Sequence, residues 1–217
     1  MSKIKEIRAR QLIDCKCRPM VEVDIITDDG YIGSGSAPTG SSVGMYESYV
    51  LRDNNPKEYD GMSVHKAVSN VTEIIAPALI GKDIHNLKDI DYTMIELDGT
   101  PDKHFLGGNA IYSTSIAALR AAAECERMTP YRYLCGHDIK TVPVPSFNVI
   151  NGGRYGDITL GYNEFLIVPY KADDIYEAVE IACKVFARLS TTIENHTGKA
   201  AAVADHTAMQ LPLRIPR

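Results

Sequence analysis

The chain has 217 residues, of which 45% are apolar, and its formal net charge at pH 7 is -5. This length and composition suit a globular protein with a sizeable core, in one large domain or two small ones. The sequence contains no basic run, which argues against nucleic acid or an anionic membrane as a partner, because either would need a concentrated Lys/Arg face.

Apolar stretches and cysteines in the sequence predict the location of the protein and the redox state of its thiols. No apolar stretch approaches the length that spans a bilayer, and the N-terminal MSKIKEIRAR lacks the apolar segment of a secretion signal. We therefore expect a cytoplasmic protein with no membrane span. The five cysteines are scattered without a CxxC pair, which favours reduced structural thiols over a zinc site or a disulfide framework.

The first 135 residues predict an N-terminal α+β domain. Apolar residues alternate through residues 3–36, and Asp28-Asp29-Gly30 is a turn signal, so an antiparallel meander is expected. The stretch APTGSSVG, residues 37–44, predicts a flexible loop that is either a lid or a plain linker. Apolar residues then recur at helical spacing in three segments, residues 62–79, 84–97 and 109–126. Strands followed by helices indicate an α+β domain over residues 1–135.

A second domain is predicted over residues 142–217, after a boundary at Pro130 and the polar stretch 136–141. The expected elements are strands at 144–150 and 165–168, a helix at about 173–196 and a short apolar run at 200–204. Strand, helix and strand in this order indicate the beginning of an α/β architecture. We expect its strands to form an open parallel fragment with a bare edge.

The most informative stretch lies at the start of this second domain. Two apolar runs in VPVPSFNVINGGRYGDITLGYNEF, residues 142–165, are separated by a Gly-rich polar loop, and Glu164 precedes the second run. Asn151-Gly152-Gly153 ends the first run abruptly, as expected where the backbone needs positive φ or approaches a ligand closely. The alternative is a surface hairpin, since Asn-Gly is also the commonest hairpin turn.

Several segments resemble those of the enolase family, in the same order and spacing, from about residue 4 to about residue 205. The matching segments are VEVDIITDDG, YESYVLRDNN, IAPALIGKD, IELDGT, GGNAIYSTSIAALRAAA, PVPSFNVINGG and EFLIVP. The resemblance implies an α+β N-terminal domain followed by the start of a TIM-type (β/α) barrel, with the barrel incomplete in this sequence.

The resemblance also implies a lyase of glycolysis that dehydrates 2-phosphoglycerate to phosphoenolpyruvate. In the family, a lysine removes the proton at carbon 2, magnesium ions stabilise the resulting dianion, and acidic groups help the carbon-3 hydroxide to leave. The expected cofactor is therefore Mg²⁺, the expected substrate is a phosphorylated small carboxylate, and the full-length enzyme is expected to be a homodimer.

The resemblance implies three site residues whose side chains are chemically similar to those of the family. Thr39 stands where a family serine helps to ligate the second magnesium ion, and it keeps the hydroxyl. Glu164 matches a carboxylate that assists departure of the hydroxyl group, although a solvated acid at a strand end is the alternative. Asn163 replaces a glutamine and is expected to contact the substrate.

Three further positions depart from the family pattern. Tyr155 stands at the position of a substrate-contacting histidine, and its neighbour Arg154 either contacts an anionic ligand or is an exposed loop residue. His206 stands where the family has a glutamate that activates the leaving hydroxyl, and an imidazole with a reference pKa near 6.5 can serve as an acid there.

The chain is too short for a complete barrel of this family. A complete eight-stranded barrel takes about 250 residues, and the family's lysine base and main metal ligands lie beyond residue 217. We therefore expect a truncated chain that is inactive as given. A frameshift near His206 is one cause, because the codons for residues 208–213, shifted by one base, permit a family-like Tyr-Ala-Ala-Pro-Phe.

The alternative functions are a non-catalytic binding or dimerisation module and a divergent enolase-superfamily enzyme acting on another carboxylate.

Overall fold

The computed structural model describes residues 2–38, 40, 44–152, 162–203 and 208–210. The chain divides into two compact units, residues 1–138 and 139–217. Within the described part of the chain, no helix is both long enough and apolar enough to cross a membrane.

The first unit begins with the predicted antiparallel meander. Its strands are β1 (Ile4–Ile13), β2 (Pro19–Thr27) and β3 (Ile32–Ala37), in the order β1-β2-β3. Side chains on a strand alternate between faces, so Val21, Val23 and Ile25 of β2 all point into the core and are fully buried. The turn at Asp28-Asp29-Gly30 closes through a 3.0 Å hydrogen bond from the Thr27 amide to the Tyr31 carbonyl.

Helices follow the meander at the three predicted segments. The first segment is one helical run whose centre is π-helical. The elements are α1 (His65–Asn70), a π-helical stretch (Val71–Ile75), α2 (Ala76–Leu79), α3 (Leu87–Asp98), α4 (Gly108–Cys125) and α5 (Pro130–Cys135). The short helix α5 was not predicted, because Pro130 was interpreted as a boundary. Proline is favourable in a first helical turn, where its missing N–H needs no partner.

The core of this unit lies between the meander and the helices. Its largest fully buried side chains come from every layer: Ile4, Val21, Val23, Ile25, Val64, Val71, Ile75, Leu79, Ile84, Ile90, Met94 and Leu106. Helix α4 contributes small side chains, among them Ala117 and Ala121, which are also fully buried. Small residues let the α4 backbone approach the sheet closely.

The closest approach is between α4 and β3, where two glycines face the helix. A Cβ atom added at Gly35 would lie 2.1 Å from the Ser113 carbonyl oxygen and 2.5 Å from the Ala117 amide nitrogen. At Gly33 the corresponding distances are 2.1 Å to the Ala121 nitrogen and 2.3 Å to the Ala117 oxygen. Strand and helix therefore pack backbone against backbone.

The second unit contains β4 (Phe147–Asn151), β5 (Glu164–Ile167), α6 (Ile175–Thr197), β6 (Ala202–Val203) and β7 (Met209–Gln210). The strands form an open sheet in the order β5-β4-β7-β6. Strands β4 and β7 are parallel, with α6 between them in sequence, which is the beginning of a barrel. The described strands do not close into a complete barrel.

The expectation of a purely parallel fragment was wrong, because β4 and β5 pair antiparallel. A parallel pair needs a crossover connection that carries the chain back across the sheet, usually through a helix. Residues 152–163 connect β4 to β5, and β5 runs in the opposite direction to β4. The antiparallel pairing agrees with the hairpin alternative, but Asn151-Gly152 is not its turn, because Asn151 pairs with Glu164 and the Gly152 amide bonds to the Asn163 carbonyl.

Helix α6 begins with a reciprocal cap. The Asp174 carboxylate accepts a 2.8 Å hydrogen bond from the Glu177 amide, and the Glu177 carboxylate accepts one of 2.7 Å from the Asp173 amide. The helix ends at Gly198, whose φ of 68° lies in the left-handed region that glycine adopts readily. These two signals explain why α6 matches the predicted 173–196 closely.

The cap provides a stability test for the second unit. We expect Asp174→Ala to destabilise it by about 1 kcal/mol, because the Glu177 amide loses its hydrogen-bond acceptor. Asp173→Ala is the matched control, since it removes the same charge while the Asp173 amide keeps its bond to Glu177. Urea unfolding followed by circular dichroism measures both changes, and equal effects of the two substitutions would contradict the capping role.

Candidate active site

The candidate site lies where β4 ends and β5 begins. In the antiparallel pair, Asn151 at the end of β4 is opposite Glu164, the first residue of β5. The next residue on each side extends the pairing, because the Gly152 amide donates a 3.0 Å hydrogen bond to the Asn163 carbonyl. The sheet pairing therefore extends to Gly152 on one side and to Asn163 on the other.

The antiparallel direction decides which edge of the sheet carries Glu164. The carboxyl end of β4 and the amino end of β5 lie at the same edge, because the two strands run in opposite directions. Strand β7 is parallel to β4 and pairs Gln210 with Asn151, so its carboxyl end also lies there. The carboxyl edge is where barrel enzymes build their active sites.

The side chains of Asn163 and Glu164 are both exposed. Among the described residues, no hydrogen-bond or ion-pair partner contacts the Glu164 carboxylate. The structure thus places these two predicted residues side by side at the carboxyl edge of β4. An exposed carboxyl group in this position is available to exchange protons with a bound molecule.

The same strand end contains an amide pair that the sequence interpretation missed. The Asn148 side-chain amide donates a 2.7 Å hydrogen bond to the Asn151 side-chain oxygen, and Asn151 is fully buried. An irregularity in the β4–β5 register between Asn148 and Ile150 accompanies this pair. The signal in the sequence was two asparagines inside an otherwise apolar strand, where polar side chains need partners.

The pair retains hydrogen-bonding capacity. Of the described residues, none provides a partner for the buried Asn151 amide nitrogen or for the buried Asn148 side-chain oxygen. Buried polar groups are normally satisfied by protein or water. The strand end therefore has an amide NH₂ group and an amide oxygen available beside Gly152.

Four predicted site residues lie outside the described residues. They are Thr39, Arg154, Tyr155 and His206. Their roles stay predictions from the sequence.

The described residues do not form a magnesium cage at Glu164. Mg²⁺ binds through an octahedral set of oxygen ligands that includes carboxylates. Among the described residues, the one group of three side chains that could hold a metal ion is Asp53, Glu58 and His65, and it does not include Glu164.

Comparison with protein families identifies both units of the chain. Residues 4–134 match the enolase N-terminal domain. Residues 139–213 match the enolase C-terminal TIM barrel domain, and this match includes the β4–β5 pair with Glu164. The first match alone covers more than half of the sequence. The chain belongs to the enolase family.

Proposed function

We propose that this chain supplies the first part of an enolase that dehydrates 2-phosphoglycerate to phosphoenolpyruvate in glycolysis. Membership of the enolase family supports an enolase-like function in general. The observation that carries the specific proposal is the position of Glu164 at the shared edge of β4, β5 and β7. A carboxyl group at that edge can face a substrate bound across the end of the barrel.

In this proposal the Glu164 carboxyl group donates a proton to the hydroxyl group on carbon 3 of the substrate, which leaves as water. Such a transfer requires a side chain within hydrogen-bond reach of the leaving oxygen, and an exposed carboxyl group at a strand end can provide it. Asn163, next to Glu164, contacts the substrate as a hydrogen-bonding side chain.

The other predicted residues have roles in the same proposal. Arg154 and Tyr155 contact the anionic substrate from the loop after β4. His206 acts as an acid in the departure of the hydroxide, and the Thr39 hydroxyl serves as a metal ligand. The enolase family is generally Mg²⁺-dependent, so Mg²⁺ would supply electrostatic stabilisation of the dianion in the complete enzyme.

The proposal also concerns assembly and location. We place the complete enzyme in the cytoplasm as a homodimer, on the basis of its family membership. We expect residues 1–217 alone to show no turnover, because among the described residues no group of three metal-ligating side chains includes Glu164.

Substitution of Glu164 tests the proposed role. The suitable protein is a chimaera in which residues 1–203 are joined to the remaining barrel of an active enolase. We expect Glu164→Gln to lower kcat for phosphoenolpyruvate formation by about a hundredfold, since the amide cannot exchange the proton. Glu194→Gln removes the same charge from an exposed position on α6 and serves as the control.

An unchanged kcat would contradict the proposed role of Glu164. If the Glu164→Gln chimaera keeps kcat within about twofold of the parent, Glu164 takes no part in proton transfer. It would then be the solvated strand-end acid that the sequence allows as an alternative.

A second candidate function is a non-catalytic module that binds a partner. It is favoured by large apolar side chains that are exposed in the second unit, among them Leu166, Tyr170 and Tyr176. Exposed apolar patches often mark interaction surfaces. Co-purification with an intact enolase would support this function, whereas a strictly monomeric, unbound chain in sedimentation experiments would count against it.

A further inference from the structure

A cluster of polar groups that the proposed function does not use lies in the first unit, in the loop that precedes α1. Two backbone hydrogen bonds close this loop, from the Asp53 amide to the Ser63 carbonyl at 2.9 Å and from the Asn54 amide to the Gly61 carbonyl at 3.1 Å. The closure brings Asp53 beside the start of α1. Asp53 and His65, which are 12 positions apart in the sequence, therefore lie side by side.

Backbone amides hold the Asp53 carboxylate in place. One oxygen accepts a 2.8 Å hydrogen bond from the His65 amide, and the other accepts a 2.8 Å bond from the Lys66 amide. A carboxylate offers about four acceptor positions, so each oxygen can still bind another group. Capping of α1 accounts for the position of the Asp53 carboxylate. It does not account for the two further side chains that lie close to this carboxylate.

Those two side chains are Glu58 and His65. The His65 Nε2 atom lies 3.8 Å from a Glu58 carboxylate oxygen. One ligand atom from each of Asp53, Glu58 and His65 lies within 4.8 Å of the others. In a tetrahedral zinc site with bonds of about 2.0–2.2 Å, two ligand atoms lie about 3.4 Å apart. Glu58 and His65 are both exposed, so their side chains have room to rotate toward Asp53 and shorten these distances.

We propose that Asp53, Glu58 and His65 form a binding site for a divalent transition-metal cation, with Zn²⁺ the best match. The imidazole selects this class of ion, because Mg²⁺ and Ca²⁺ prefer sets made only of oxygen. Two carboxylates neutralise the charge of the ion, and a water molecule completes the usual four-coordinate arrangement. Three protein ligands leave one coordination position open to solvent.

This site is separate in its chemistry from the proposed dehydration. None of the three ligands is among the residues that the enolase resemblance assigns to substrate or magnesium. Its test measures binding rather than turnover, so failure of either proposal leaves the other unaffected.

Isothermal titration of the 217-residue chain with Zn²⁺ tests the site. The thiols are first carbamidomethylated, because Cys15, Cys17, Cys135 and Cys183 are exposed and thiolates also bind zinc. We expect one ion per chain, not displaced by excess Mg²⁺. The expected effect of His65→Ala or Glu58→Gln is at least about tenfold weaker affinity.

A matched control is available in the same unit. His104 is exposed and pairs with Asp102 at 2.6 Å, yet among the described residues no second carboxylate joins that pair. His104→Ala is therefore expected to leave the Zn²⁺ affinity unchanged. Absence of zinc binding, or equal effects of His65→Ala and His104→Ala, would overturn the proposal.

The histidine ring provides a second readout. Zinc binding should shift the ring proton resonances of one histidine in the NMR spectrum, and those resonances should be absent from His65→Ala. A zinc-induced shift that persists in His65→Ala would also overturn the assignment.

Discussion

Replacement of Gly35 by alanine is expected to lower the free energy of unfolding by about 3 kcal/mol or more. The added Cβ would lie 2.1 Å from the Ser113 carbonyl oxygen and 2.5 Å from the Ala117 amide nitrogen. These atoms belong to the backbone of α4, so no side-chain rotation relieves the overlap. Strand β3 and helix α4 must move apart, which opens gaps in the core around Ala117.

Urea unfolding followed by circular dichroism measures this loss. Ser36→Ala is the matched control, because it changes the neighbouring residue on the opposite face of the same strand. We expect the control to change stability by less than about 0.5 kcal/mol. A Gly35→Ala protein as stable as the control would show that β3 and α4 are not packed backbone against backbone.

Replacement of Asp98 by asparagine is expected to cost about 2–3 kcal/mol at pH 7. The Asp98 carboxylate is buried at the end of α3 and accepts hydrogen bonds on both oxygens. The Leu106 amide donates to one oxygen at 2.7 Å, and the Thr100 amide donates to the other at 3.0 Å. The Thr100 hydroxyl donates to the same oxygen. An asparagine side chain has one oxygen, so its NH₂ group would face a donor and leave a hydrogen bond unmade.

The same contacts make the effect of Asp98 depend on pH. Burial acts to raise the pKa of Asp98, but the hydrogen bonds from Thr100 and Leu106 outweigh it and lower the pKa below its ordinary value. A carboxyl group with a lowered pKa stabilises the fold fully above its unfolded pKa of about 3.9, and that stability is lost as the pH falls through the folded value. The difference in the free energy of unfolding between wild type and Asp98→Asn should therefore become smaller below about pH 4.

A charge-matched control separates this effect from net charge. Glu96→Gln removes one negative charge from an exposed position on the same helix and is expected to change stability by less than about 0.5 kcal/mol. Chemical unfolding between pH 3 and pH 7 measures all three proteins. A difference between wild type and Asp98→Asn that stays constant over this range would contradict the proposed role of the carboxylate.

Local patterns in the sequence were sufficient to predict most of the elements. The alternation in β2 and the helical spacing in α6 each follow from one element that buries one face, so they can be read along a short stretch of chain. The start of α6 could also be predicted, because Asp174 and Glu177 cap it within a few residues. The family resemblance added the order of the two domains.

Features that depend on distant contacts could not be predicted in the same way. The direction of β5 depends on how a loop connects it to β4, and apolar content alone does not reveal that direction. The bonds of Asp98 and the meeting of Asp53 with His65 depend on loops that fold back on themselves. No periodic spacing in the sequence marks these residues.

The candidate site was predicted in part. Glu164 and Asn163 were identified because they match family positions, and the structure places them beside the end of β4. The buried Asn148–Asn151 pair was missed, because asparagine next to glycine also suggests a simple turn. Antiparallel pairing is what moves the first residue of β5 to the carboxyl edge of β4.

Phosphoenolpyruvate formation by the chimaera of residues 1–203 with the remaining barrel of an active enolase tests the central claim most directly. We expect turnover of 2-phosphoglycerate when Mg²⁺ is present, with Arg154 and Tyr155 as they stand in this sequence. A chimaera that is inactive as it stands, but active once Arg154→Ser and Tyr155→His restore the family residues, would contradict the claim. The divergent loop would then select a different carboxylate substrate.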